Sequence, residues 1–164
     1  MIKHYIKHLI MAVIAMMMVL TTQAQTKSQP QVLAKTYLPG DIVPASAIKQ
    51  IGEKKFFTVS PIPDSIFKLM QGKTYKANCT MSRSELRYLR CLHIDRNGRS
   101  IVGEMVVNKA IANDVLDIFR QLYLAKYPIE RMRLIDYWDA NDERAMRANN
   151  SSSFNFRFVS HTHT

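Results

Sequence analysis

The chain has 164 residues, with 23 lysine and arginine against 13 aspartate and glutamate side chains, for a formal net charge of +10. This length suits one modest domain and excludes two independent ones. The basic excess suits an anionic partner, although it serves equally to solvate a surface. The two cysteines show no CxxC or Cys/His spacing, so they do not predict a metal site.

The amino terminus has the pattern of an export signal. Two lysines precede an apolar run over residues 9–20, and a small-residue cleavage pattern ends at Ala24. The run is well short of the roughly 20 residues that a bilayer-spanning helix needs. We therefore predict a signal peptide over residues 1–24, a periplasmic or extracellular location and no stable membrane anchor.

Cleavage would leave residues 25–164, with 21 basic against 13 acidic side chains. The polyanions that an exported protein meets first are cell-wall polymers and membrane headgroups, so we expect no nucleic-acid partner. Cys79 and Cys91 could pair in an oxidising compartment, or Cys91 could be a small buried hydrophobe. The sequence leaves both alternatives open.

Residues 25–63 are assigned to a linker or an arm over the domain, because their first part is polar and punctuated by prolines. Asp64 is predicted to cap a short helix over residues 65–71. Residues 86–94 carry apolar side chains on both faces, which indicates a central strand. The Asn97-Gly98 pair predicts a hairpin turn to a returning strand over residues 100–107.

A long helix follows the hairpin. Asn108 can cap it, and apolar residues recur at helical spacing between residues 110 and 126. Residues 129–137 are then predicted as a strand, 140–150 as a short helix and 151–159 as a last strand. Together these elements predict an α+β domain, a small antiparallel sheet packed by helices.

Arg157 is the strongest candidate for a functional residue. It alternates with apolar side chains, so that Asn155 and Arg157 share one face of the last predicted strand and phenylalanines take the other. A guanidinium in such a position binds a carboxylate or a developing oxyanion, or it simply reaches solvent from a half-buried strand.

Residues 103–111, 127–138 and 149–157 resemble the zinc D-Ala-D-Ala carboxypeptidase and L-alanyl-D-glutamate peptidase family. The resemblance implies that Arg157 contacts the substrate, a peptidoglycan stem peptide, with Asn155 beside it. One departure is Ala145, which stands where relatives usually have a serine.

The larger departure concerns the metal. The complete family binds zinc through a Ser-x-His-(six residues)-Asp pattern and a distant histidine, all after this arginine. The Ser160-His161 pair has the wrong spacing. We therefore expect no zinc and no complete catalytic set in this chain, whose residues 64–164 would be a partial peptidase-like domain, incomplete at the carboxyl end. His161 and His163 could share an ion, but solvent exposure is favoured.

The acids at positions 136, 139, 142 and 143 could form a cluster for acid–base chemistry. Those at 139, 142 and 143 surround the start of the short helix, so a capping role is favoured for them. The resulting hypothesis is an exported peptidoglycan peptidase, truncated before its metal-binding motifs and inactive. The alternative is a non-catalytic exported module that binds a cell-wall polymer or a protein partner. Exposed phenylalanines on the last strand would favour self-association.

Overall fold

The computed structural model describes residues 30–157, in which a three-stranded antiparallel sheet is packed by five helices. This confirms the predicted α+β class. In chain order the elements are α1 (30–36), α2 (Ala45–Ile51), β1 (Thr58–Ser60), α3 (Asp64–Met70), β2 (Leu86–Ile94), β3 (Ser100–Asn108), α4 (Ala112–Leu124) and α5 (Asp142–Arg147).

The sheet order is β1-β2-β3, so β2 is the central strand, as predicted. The predicted hairpin is also confirmed, because β2 and β3 pair antiparallel across the turn at Asn97 and Gly98. Gly98 has a φ of 76°, which suits a residue without a side chain. The Asp95 carboxylate accepts hydrogen bonds from the backbone N–H groups of Asn97 (3.0 Å) and Arg99 (2.8 Å) and so fixes the turn.

Helix α4 covers one face of the sheet, where Leu89, Cys91 and Met105 are buried. It is the predicted long helix, shortened at both ends. A 3-10 turn, Lys109–Ile111, precedes it, and the Asn108 side chain accepts from the Ala110 N–H at 2.8 Å to cap that turn. Because side chains alternate along a strand, the neighbouring residues of β2 and β3 point to the opposite face.

That opposite face is covered by the earlier helices. Ala34 of α1 and Ile51 of α2 are buried with Leu92 and Val102, while Met70 of α3 is buried with Val106. The segment assigned to a linker or arm therefore supplies core residues over its described part, and β1 pairs with β2. The prediction that Asp64 caps α3 is wrong: its side chain makes no cap bond and pairs with Arg83 at 2.6 Å.

The strand predicted over residues 129–137 is wrong. Residues Ile135–Trp138 form a 3-10 turn, and Asp139 and Ala140 follow it with φ angles of 56°. This tight reversal interrupts the extended backbone that a strand requires. Within residues 129–137, Met132 bonds β3, because its carbonyl accepts from the Glu104 N–H at 3.0 Å.

The helix predicted over residues 140–150 is present but shorter, as α5. The last predicted strand is wrong over residues 151–157, which belong to no strand. Residues 158–164, including His161 and His163, and the signal peptide predicted for residues 1–24 lie outside the described part of the chain. The self-association expected from that strand stays a prediction.

Candidate functional site

The segment over residues 151–157 is fastened to the domain at two points. The Phe154 N–H donates to the Val106 carbonyl of β3 (3.2 Å), and the Phe156 N–H donates to the Thr74 carbonyl in the loop after α3 (3.1 Å). The Phe154 ring is half-buried and lies 6.3 Å from the ring of Tyr75. These contacts fix the backbone on both sides of Asn155.

Asn155 and Arg157, the two residues predicted to bind substrate, both point to the beginning of α5. The Asn155 side-chain N–H group donates to the Ala140 carbonyl (3.4 Å) and lies 3.5 Å from Oδ1 of Asp142. Arg157 forms an ion pair with the same Asp142 carboxylate, and its side chain stays 56% exposed. The structure therefore brings the predicted pair together around one acid.

The turn beneath this pair has an unusual backbone. Asp139 and Ala140 are consecutive non-glycine residues with positive φ, a conformation that costs energy and persists only where the surroundings enforce it. Asn141 then caps α5, accepting from the Arg144 N–H at 2.9 Å. Strain of this kind is concentrated at binding and catalytic sites, which agrees with the position of Asn155 above Ala140.

The nearby acids have separate partners. Asp139 pairs with Lys73 (2.9 Å) and Arg144 (3.0 Å). The hydrogen bond from Lys73 is the largest of the contributions that lower the pKa of Asp139. Glu143 lies in the first turn of α5, as does Asp142, where the helix dipole favours a negative charge. These two positions suit the helix dipole, but the predicted capping by the acids is wrong, because the side chain that caps α5 is that of Asn141.

Asp136 lies apart from those acids. Its side chain is buried and accepts from the Thr74 hydroxyl at 2.7 Å, and burial raises its pKa above the ordinary value for aspartate. Thr74 also accepts from Phe156 through its carbonyl, so this residue links the buried acid to the Arg157 segment.

Asn150 has a role that sequence reasoning missed. Its side-chain oxygen accepts from the Arg133 N–H and its side-chain nitrogen donates to the Arg133 carbonyl, both at 2.9 Å. The Ser151 N–H donates to the Arg131 carbonyl at 2.9 Å. The side-chain amide of Asn150 thereby completes a short parallel pairing between residues 131–133 and 150–151, where a strand would use backbone groups. The asparagine pair at the end of the helix predicted over residues 140–150 was the available signal.

A buried polar network crosses the face of the sheet that lies opposite α4. Glu104 of β3 is 0% exposed, and its carboxylate accepts from the Tyr88 hydroxyl (2.6 Å) and from Nε of Arg133 (2.7 Å). The Arg133 guanidinium lies 4.3 Å from the centre of the Tyr137 ring. Burial, followed by the charge of Glu104, raises the pKa of Tyr88 far above its usual range. A charged residue inside the apolar run of β3 was the missed signal.

A cavity of about 500 Å³ lies beside this network, with His93, Asp95, Arg133 and Trp138 in its lining. His93 is buried and donates from Nδ1 to the Ile129 carbonyl at 2.7 Å; burial lowers its pKa. The Asp95 carboxylate pairs with Arg99 at 2.6 Å. Arg133 and Arg99 in this lining have acid partners, and the Arg131 guanidinium donates to the Ala148 carbonyl at 3.0 Å. The lining also contains the two acids Asp95 and Glu130.

Zinc is the cofactor that the resemblance implies. Within residues 30–157, no three His, Cys, Asp or Glu side chains are grouped so that they could hold a metal ion. The described residues therefore do not fit a zinc site by themselves, and no chemical step is assigned to a metal here. The same residues include no helix that is long and apolar enough to cross a membrane.

No protein-family model, curated protein or solved structure matches this chain. The interpretation of the site therefore depends on the geometry of its own residues and on the resemblance in their sequence.

Proposed function

We propose that this chain is an exported peptidoglycan peptidase of the zinc carboxypeptidase type, in which Arg157 and Asn155 contact the carboxylate of a stem peptide. In the family that the sequence resembles, the zinc ligands follow this arginine. The proposal therefore assigns substrate contact to the described residues and leaves hydrolysis to residues outside them.

One observation carries the proposal: Arg157 lies on a segment with fixed backbone, yet its guanidinium is half exposed beside Asp142. A guanidinium has five N–H donors in a rigid fork, so one carboxylate partner leaves other donors for a ligand. Because Asp142 already orders the Arg157 guanidinium, less side-chain entropy is lost when a ligand binds.

Binding of an N-acetylated D-Ala-D-Ala peptide to the mature chain tests this proposal. Hydrogen bonds to charged groups contribute about 1.5–3 kcal/mol, so Arg157→Ala should weaken binding about 10-fold or more. The matched control is Arg147→Ala, because Arg147 also pairs with an acid of α5 (Glu143, 3.4 Å) but is 81% exposed on the helix itself. Equal affinity of Arg157→Ala and wild type would contradict the proposal.

The alternative function is a non-catalytic exported module that binds a cell-wall polymer or a protein partner. The excess of 21 basic over 13 acidic side chains in residues 25–164 favours it, because a polyanion would be attracted over the whole surface. Such binding should weaken steeply with salt. The effect of Arg157→Ala separates the two functions, since it should weaken binding of the stem peptide about 10-fold or more but leave salt-sensitive binding of a polyanion nearly unchanged.

A further inference from the structure

A second cavity, of about 620 Å³, lies over β1 and β2 between α1 and the start of α3. Two cationic residues, Lys35 and Arg90, line it together with the hydroxyl residues Thr58, Ser60 and Ser65. No aspartate or glutamate is among its described lining residues. The cavity therefore differs from the one beside His93, whose lining includes the acids Asp95 and Glu130.

Arg90 is the unusual residue of this cavity. It lies in the central strand β2, and one guanidinium nitrogen donates to the Tyr37 carbonyl. Its Nε is buried without a hydrogen-bond partner among residues 30–157, and no carboxylate of that part of the chain lies within ion-pair distance. A buried donor without a partner costs about 1–3 kcal/mol, so this guanidinium is poorly satisfied by the protein alone.

Glu104 would be the natural partner, because it stands opposite Arg90 in the register of β2 and β3. However, one of its carboxylate oxygens accepts from Tyr88 and the other from Arg133. This face of the sheet thus holds two guanidinium groups, Arg90 and Arg133, for one buried carboxylate. One positive charge remains without compensation at the cavity.

We propose that this cavity is a binding site for a small organic carboxylate with an apolar body, anchored by Arg90. The planar fork of a guanidinium matches a carboxylate, and one uncompensated charge suits a monoanion. Lys35 is exposed and adds a second cation at the rim. The apolar part of the ligand contacts the side chains of Leu38, Pro39, Pro63 and Ile66, which also line the cavity.

The test compares 3-phenylpropionate with its neutral amide, 3-phenylpropionamide, by calorimetric titration of the full mature chain. We expect the acid to bind at least 10-fold more tightly than the amide. Arg90→Gln should reduce the affinity for the acid at least 10-fold and abolish its preference over the amide. The control is Arg87→Gln, since Arg87 also lies in β2 and, among residues 30–157, its side chain bonds the backbone carbonyls of Ser84 and Leu86 and no acid.

If Arg90→Gln fails to fold, Lys35→Gln tests the site instead. Because Lys35 is exposed, this variant should keep its fold and bind the acid about 2- to 5-fold more weakly than wild type. Equal affinities for acid and amide, or an unchanged affinity in Arg90→Gln, would overturn the proposal. Tighter binding of phenyl phosphate than of the acid would overturn the carboxylate assignment. Arg157→Ala should leave this binding unchanged, which separates the site from the one proposed for the stem peptide.

Discussion

At the scale of single residues, the Asn150 side chain joins the segment after α5 to residues 131–133. Replacing it with alanine leaves the Arg133 N–H and carbonyl without their side-chain partners. Asn150→Ala should therefore lower the free energy of unfolding by about 1–3 kcal/mol, measured by urea denaturation. Asn150→Asp keeps the acceptor and loses the donor, so an intermediate loss is expected. Wild-type stability of Asn150→Ala would show that water replaces both bonds.

The two cysteines have different surroundings, and both are free thiols in the described structure. Cys91 is buried with Sγ 3.2 Å from the Met132 sulfur, and burial raises its pKa to about 12. Cys79 is partly exposed. A thiol reagent at pH 8 should therefore modify Cys79 in the native protein and Cys91 only after unfolding.

Cys79→Ser should remove the modification of the native protein and leave the modification of Cys91 after unfolding. Rapid modification of two thiols in the native protein, or of none before reduction, would contradict this assignment.

At the scale of elements, β3 depends on close contact with the irregular segment beside it. A Cβ atom on Gly103 would lie 2.9 Å from both Cβ and Sδ of Met132 and 3.1 Å from the His93 ring. Gly103→Ala should therefore destabilise the domain by about 1–3 kcal/mol through overpacking, as measured by denaturant titration.

A double-mutant cycle supplies the control for this clash. Met132→Ala alone creates a cavity and should cost about 2–5 kcal/mol. Adding Gly103→Ala to it should cost less than adding Gly103→Ala to wild type, because the crowding atoms are then gone. Additive costs would show that Met132 does not limit the space at Gly103.

The elements that could be predicted from the sequence are those fixed by local signals. The Asn97-Gly98 turn sets the hairpin and the helical spacing of apolar residues sets α4, so both are confirmed. Alternating phenylalanines after Ser153 also favour a strand, yet the backbone N–H groups of Phe154 and Phe156 bond two different elements. Such long-range partners have no local signature, which is why the last predicted strand was wrong.

At the scale of the whole molecule, folding favours the neutral form of His93. Burial lowers its pKa although the Ile129 carbonyl and the charges of Asp95 and Glu130 act in the opposite direction. Between the lowered folded pKa and the unfolded value of about 6.5, the unfolded chain therefore binds more protons at His93 than the folded chain does. Stability should fall as pH decreases from about 6.5, with a slope of at most about 1.4 kcal/mol per pH unit from this residue.

The control for this pH dependence is His93→Gln, which removes the titrating group. Denaturation curves between pH 5 and 8 should show a flatter dependence in the variant than in wild type. Parallel curves would mean that His93 is protonated equally in both states.

The candidate site was predicted in part. Arg157 and Asn155 were identified from strand alternation and from the resemblance, and they do meet at one acid, although the strand itself is wrong. Glu104 and Arg90 were not identified, because their significance depends on register across β2 and β3 and on which partner each charge finds. Pairing of charges across a sheet is a property of the whole fold.

The most direct test of the central claim measures how Arg157 couples to the carboxylate of a stem peptide. Wild type and Arg157→Ala are each titrated with N-acetyl-D-Ala-D-Ala and with the same peptide amidated at its carboxyl end. The proposed contact predicts that wild type prefers the acid about 10-fold or more and that Arg157→Ala loses this preference while binding the amide as wild type does. The same preference for the acid in both proteins would contradict the account.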